Sequence, residues 1–136
     1  MERDGPVRKM AIAMAAGRVA FGLGLAFAPR LTAVTWVGRD ARKTGTQVLT
    51  RATGGRDLAL GGGALVALLR HQDPRPWIGA QAAADLTDFV ATAVAGDDLP
   101  PSGRRGVLAL AGVATAAGLA TLVAAGNGDG DSGDVQ

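Results

Sequence analysis

The chain has 136 residues, 48% of them hydrophobic but only 4% aromatic, with no cysteine, one histidine and a formal charge of +2. That length fits one domain. The lack of cysteine excludes disulfides, thiolate metal sites and cysteine nucleophiles, and the lone His71, in the polar connection HQDPRPW, makes no metal site by itself. The basic residues are scattered rather than set in a stripe with interleaved aromatics, so no nucleic-acid partner is expected. Mean hydropathy is a modest +0.21, but alanine, glycine and arginine depress that average, so windows are more informative than the whole.

In chain order, the first apolar segment covers 10–28 and is interrupted only by Arg18. Arg8 and Lys9 before it, and Ala26-Phe27-Ala28 at its end, imitate a secretory signal. Arg18 inside the stretch and Pro29 just after it argue instead for a retained span. The connection from Pro29 to Thr46 is long, and APRLTAVTWVG fits a short interfacial helix with Pro29 in its first turn and Trp36 near the headgroups. The second segment, 47–69, carries Arg51, Arg56 and Asp57. The third, 77–96, opens on Trp77 and carries Asp85 and Asp88. The fourth, 106–126, has no charge at all and follows Arg104 and Arg105. A bilayer core requires about 20 apolar residues in a helix, and strand alternation is absent. The expectation is an all-α integral membrane four-helix bundle, one domain over 1–126, with a short interfacial helix between helices one and two. The residues 127–136 read as a disordered acidic tail. Its NGDGDSG run is no calcium loop, because Ser132 stands where the turn glycine belongs.

Four spans put both termini on one side, with Trp36 and Trp77 at opposite faces. Orientation stays open. Arg3, Arg8, Lys9, Arg70 and Arg75 fall on the terminal side, and Arg30, Arg39, Arg42, Lys43, Arg104 and Arg105 on the other, which leaves no positive-inside bias.

Arg18, Arg56, Asp57, Asp85 and Asp88 all lie near the midpoints of their segments. A midpoint sits at the bilayer centre whichever way a helix runs, so these five share one layer. Each charge left alone there costs about 2.5–3.5 kcal/mol on the insertion scale. The low-cost arrangement turns them inward as one cluster, in which the planar fork of arginine serves two carboxylates at once. At about 100° per residue, Gln81, Asp85, Asp88 and Thr92 make one stripe on helix three, whereas Arg56 and Asp57 face two different neighbours. Two arginines against three aspartates leave a carboxylate over. Either Arg51, about 7 Å along the helix from Arg56, joins the cluster, or one aspartate is protonated at neutral pH.

Small residues at i, i+4 spacing suggest packing seams along Gly55, Ala59, Gly63 and Ala67, along Ala13, Gly17, Ala20 and Gly24, and along Gly112, Ala116, Ala120 and Ala124. The glycines match neither GxxxxGK[ST] nor GxGxxG, so they form no phosphate cradle.

GRVAFGLGLAFAPRLTAVTWVG, then GGRDLALGGGALVAL and the aspartate-bearing ADLTD, resemble small four-helix membrane proteins of high-GC bacteria. These are grouped as a domain of unknown function with a G-x-R-D-L-A-L-G core. The likeness runs from about Val7 to about Ala125 and implies the four-helix topology, with the five charged residues as its polar positions, but no activity. The expected protein is thus a multi-pass component of the cell membrane. Its role is structural or accessory, held by a central Arg/Asp network, without cofactor or enzymatic activity. Its partners would be the lipid bilayer and either a second copy or another membrane protein. The alternative is a small proton- or cation-coupled transporter using Asp85 and Asp88, with Arg18 and Arg56 as counter-ions. A lipid-acting enzyme built on His71 and Asp73 has nothing to organise it.

Overall fold

The computed structural model describes residues 5–130, and these are almost wholly helical, with no strand among them. Five α-helices follow one another: α1 (Pro6–Phe27), α2 (Pro29–Val37), α3 (Thr44–Leu69), α4 (Arg75–Ala95) and α5 (Pro101–Gly130), with short 3-10 turns at Gly38–Arg42 and Gly96–Asp98. Prolines occupy the first turns of α1, α2 and α4, where the missing N–H is not needed. The short α2 coincides with the expected interfacial segment. The four long helices each start a few residues before the expected spans, and α1 and α4 end one residue short of theirs. The last passes the expected start of the tail at 127 and continues through Gly130. Residues 131–136 of that tail lie outside the described residues.

α1 packs antiparallel along α3, α3 along α4, and α4 along α5, while α2 lies across one end against α1, α3 and the start of α5. The result is an open ring of four long helices in which α1 and α5 make no extended contact with each other. α1 and α5 are long and apolar enough to cross a membrane. α3 and α4 have 26 and 21 residues, but their mid-helix charges lower their hydropathy.

Each packed face follows a 3-4 spacing that passes through a charged residue. On α1 it is Ala11, Ala15, Arg18, Gly22 and Leu25; on α3, Gly54, Asp57, Gly61, Ala64 and Leu68; on α4, Ile78, Ala82, Asp85 and Thr92. This is the pattern by which helices interlock at shallow angles. A Cβ on Gly54 would lie 2.6 Å from the Ala26 nitrogen and 2.7 Å from the Gly22 oxygen, and one on Gly61 would lie 3.0 Å from the Ala15 oxygen. These glycines therefore set the closeness of α1 and α3. The small-residue seams expected from sequence are corrected here. Ala13, Gly17 and Ala20 are exposed, as are Gly55 and Ala59 and also Ala116, Ala120 and Ala124. Alanine and glycine are so abundant that several i, i+4 stripes exist on each helix, and the charges decide which stripe turns inward. Of the expected positions, Ala67 is buried, Gly63 receives the Trp77 ring, Gly24 lies by Thr32 and Gly112 by Phe89.

The helix ends are closed locally. α3 ends with His71 at φ 56°. Gln72 N–H donates to Ala67 (2.8 Å) and His71 N–H to Leu68 (3.3 Å), a Schellman arrangement with histidine where glycine is usual. Arg8 Nη2 donates to the Leu68 carbonyl at 2.9 Å, placing a cation at the negative end of α3. At the opposite end, a Cβ on Gly103 would meet the Trp36 oxygen at 2.3 Å, so glycine is what lets α5 begin against the last carbonyls of α2.

Candidate functional site

The five mid-helix charges come together in one alternating chain, Asp85–Arg18–Asp57–Arg56–Asp88. Arg18 projects from α1. Its Nη1 donates to Asp57 Oδ1 on α3 at 3.0 Å, and its Nη2 pairs with the Asp85 carboxylate on α4. Arg56 on α3 forks onto Asp88 of α4, Nη1 to Oδ1 at 3.0 Å and Nη2 to Oδ2 at 2.7 Å. The same guanidinium turns back to Asp57 Oδ1 through Nη2 at 3.1 Å and Nε at 3.3 Å. One oxygen of Asp57 therefore accepts from both arginines. Adjacent residues 56 and 57 reach α4 and α1 respectively, as their 100° separation on the helix dictates.

Asp57 is 3% exposed and Asp85 also counts as buried, whereas the side chain of Asp88 keeps 26% of its exposure. The chain of charges thus runs from a sealed end to a partly open one. Arg51 does not join. Its side chain is exposed, on a face of α3 turned away from the cluster, and the expectation that it balances the count is set aside. Gln81, one helical turn before Asp85, donates from Nε2 to the Leu60 carbonyl of α3 at 3.0 Å and fastens α4 to α3 beside the charges. Thr92, the last of the expected polar stripe, is buried with its Oγ1 unpartnered, as is Trp36 Nε1.

A cavity of about 610 Å³ lies beside the ladder, in the gap between α1 and α5. Arg18, Asp57, Asp85 and Asp88 line it, and Arg56 does not. Its walls are otherwise mostly apolar, from Phe21 and Leu25 on α1, Ile78 on α4, and Leu110 and Ala111 on α5, with the Trp36 ring among them. The cavity is not readable from sequence, because it depends on α1 and α5 failing to close against each other. α5 contributes apolar wall and no ion pair to the ladder.

Outside the ladder, Asp73 accepts from the Arg75 backbone N–H and from its Nε, both at 3.0 Å. The backbone bond first, and then the guanidinium, hold its carboxyl below the usual aspartate range. His71, two residues away, is exposed in the turn, and neither residue lines the cavity. Among the described residues no group of His, Asp and Glu is arranged to hold a metal ion.

The G-x-R-D-L-A-L-G stretch acquires a geometric sense in this arrangement. Its end glycines, Gly54 and Gly61, admit the α1 backbone, Asp57 between them meets Arg18, and Arg56 points to α4. The chain matches no protein-family model, no curated protein and no solved structure.

Proposed function

We propose that the protein is a small multi-pass membrane protein in which α1, α3, α4 and α5 each cross the bilayer and the Arg/Asp ladder ties the first three together. It serves as a structural or accessory component of the cell membrane. The observation that carries this reading is an inverted distribution of polarity. Five mid-helix charges pair with each other, Asp57 and Asp85 buried and the others half-buried, while large apolar side chains cover the outside of every long helix, with Phe27 81%, Val94 82% and Val113 69% exposed. Water-soluble monomers seldom expose apolar patches beyond a few hundred Å², and charges in the middle of a membrane face the bundle interior and pair. The threonines agree with a surrounding that offers no hydrogen bonds. Thr50, Thr87, Thr115 and Thr121 each donate to the carbonyl four residues back, satisfying the hydroxyl within its own helix.

The test is extraction. Expressed in a bacterial host, the chain should sediment with membranes, resist alkaline carbonate and come into solution only with detergent. A chain that stays dissolved and monodisperse in plain buffer would sink the proposal.

A second reading is favoured by the cavity. Three of its lining residues carry carboxylates that belong to the ladder, which suits a small proton- or cation-coupled carrier better than a purely static tie.

A further inference from the structure

We propose that the cavity between α1 and α5 binds a monovalent organic cation with apolar substituents, its charge set against the ladder carboxylates and its bulk against the cavity walls. The site deepens the carrier reading and depends on the membrane reading only for the route by which the ligand arrives.

Charge points to a cation. The ladder alternates acid and base but begins and ends with a carboxylate, so three aspartates face two arginines and one negative charge is left over at full ionisation. The imbalance is larger at the cavity surface, where Asp57, Asp85 and Asp88 are joined by Arg18 alone. A single positive charge completes the alternation at low dielectric, where such pairing is strongest. An anion would meet the surplus carboxylate, and a neutral acyl chain would leave it uncompensated.

Size and lining point to an organic cation rather than a metal ion. The volume, about 610 Å³, falls within the roughly 300–1,000 Å³ of small-molecule sites. A small hard ion wants six or more oxygens around it, whereas here the walls beyond the carboxylates are mostly hydrocarbon. Phe21 and Trp36 add aromatic rings, which attract the diffuse charge of a quaternary or aryl-substituted cation. Access has a structural basis as well. Phe21 and Leu110 line the cavity yet remain 50% and 61% exposed, so the gap between α1 and α5 opens sideways through an apolar mouth. A ligand partitioned into lipid could enter there without crossing a polar surface.

The probe is tetraphenylphosphonium, with tetraphenylborate as a control of the same shape and opposite charge. Both are titrated by equilibrium dialysis against the full chain in detergent, whose folded state is monitored by its thermal transition. Titrated separately, tetraphenylphosphonium is expected to bind saturably at one per chain and tetraphenylborate not to bind saturably. Asp88→Asn should weaken tetraphenylphosphonium binding about tenfold or more, because the pairing charge is removed from a low-dielectric site. Ala114→Phe, which sets a ring into the cavity and leaves all five charges in place, should weaken it about tenfold or more. If Asp88→Asn fails to fold, Ala114→Phe decides. The proposal is overturned by folded protein that shows no saturable uptake, by tetraphenylborate binding as tightly, or by a folded Ala114→Phe variant that binds like the parent. A chain that enters membranes but ignores the probe refutes this inference alone. A chain that needs no amphiphile refutes the membrane reading instead.

Discussion

Asp57 illustrates how much one side chain settles. A single carboxylate oxygen accepts from Arg18 and Arg56 together, so its removal takes one partner from each guanidinium and leaves Arg18 with Asp85 and Arg56 with Asp88. Taking one partner from a buried ion pair costs about 3–5 kcal/mol when the other charge is left uncompensated, and Asp57→Ala, after which each arginine keeps one carboxylate, should approach the lower end of that range. Asp88 is at the open end of the ladder. Without it Arg56 still holds Asp57 and can hydrate, so Asp88→Ala should cost clearly less. Thermal unfolding of the two variants in the same detergent tests the order, and equal losses would mean that the ladder is not graded from sealed to open. The residue scale also shows a limit of sequence reading. The pairing of Arg18 with α3 and α4 follows from depth and from the expense of isolated charge, without coordinates. The exclusion of Arg51 does not follow, because its distance along the helix allows a contact and only the structure shows its side chain exposed.

For the elements, the deciding quantity is how closely two backbones approach. Gly54 and Gly55 are neighbours in sequence and opposites in packing. A Cβ at the first would press on the Ala26 nitrogen and the Gly22 oxygen, whereas one at the second meets nothing within 4 Å. Gly54→Ala must push α1 away from α3, lengthening the Arg18–Asp57 contact as well, and should cost about 1–3 kcal/mol as an overpacked interior does. Gly55→Ala should be neutral or stabilise by up to about 1 kcal/mol, since alanine is the better helix former. Comparing the melting midpoints of the two variants checks this, and a harmful Gly55→Ala would show that the inward face is misassigned. That face was legible in part. Helix lengths, the short α2 and the loop positions follow from proline, charge and apolar run length. The small-residue seams do not, because a chain with 21 glycines offers many stripes. The inward stripe runs at 3-4 spacing through Arg18 and through Asp57, but more than one stripe of small residues passes close to each charge.

For the whole molecule, connectivity and sidedness are linked. With four crossings, the turn containing Gln72 shares a side with the termini, while Asp98 lies on the other side with α2. The chain has no cysteine, so a thiol introduced at either position reports without background. In sealed inverted or right-side-out vesicles, Gln72→Cys and Asp98→Cys should react with a membrane-impermeant maleimide in opposite preparations. Labelling of both from the same side would be incompatible with four spans, and would leave α1 and α5, the two most apolar helices, as the only crossings.

Sequence by itself determined that the chain is helical, where its long helices lie, and that five charges at one depth must find each other, because unpaired charge away from water is too costly to tolerate. Only the tertiary structure decided which stripe of small residues turns inward, that Arg51 stays out, and that α1 and α5 part to leave a cavity beside the ladder. Those outcomes depend on the rotation and spacing of whole helices, which many near-equivalent arrangements of alanine and glycine leave open until the charges and the closest backbone contacts are satisfied together.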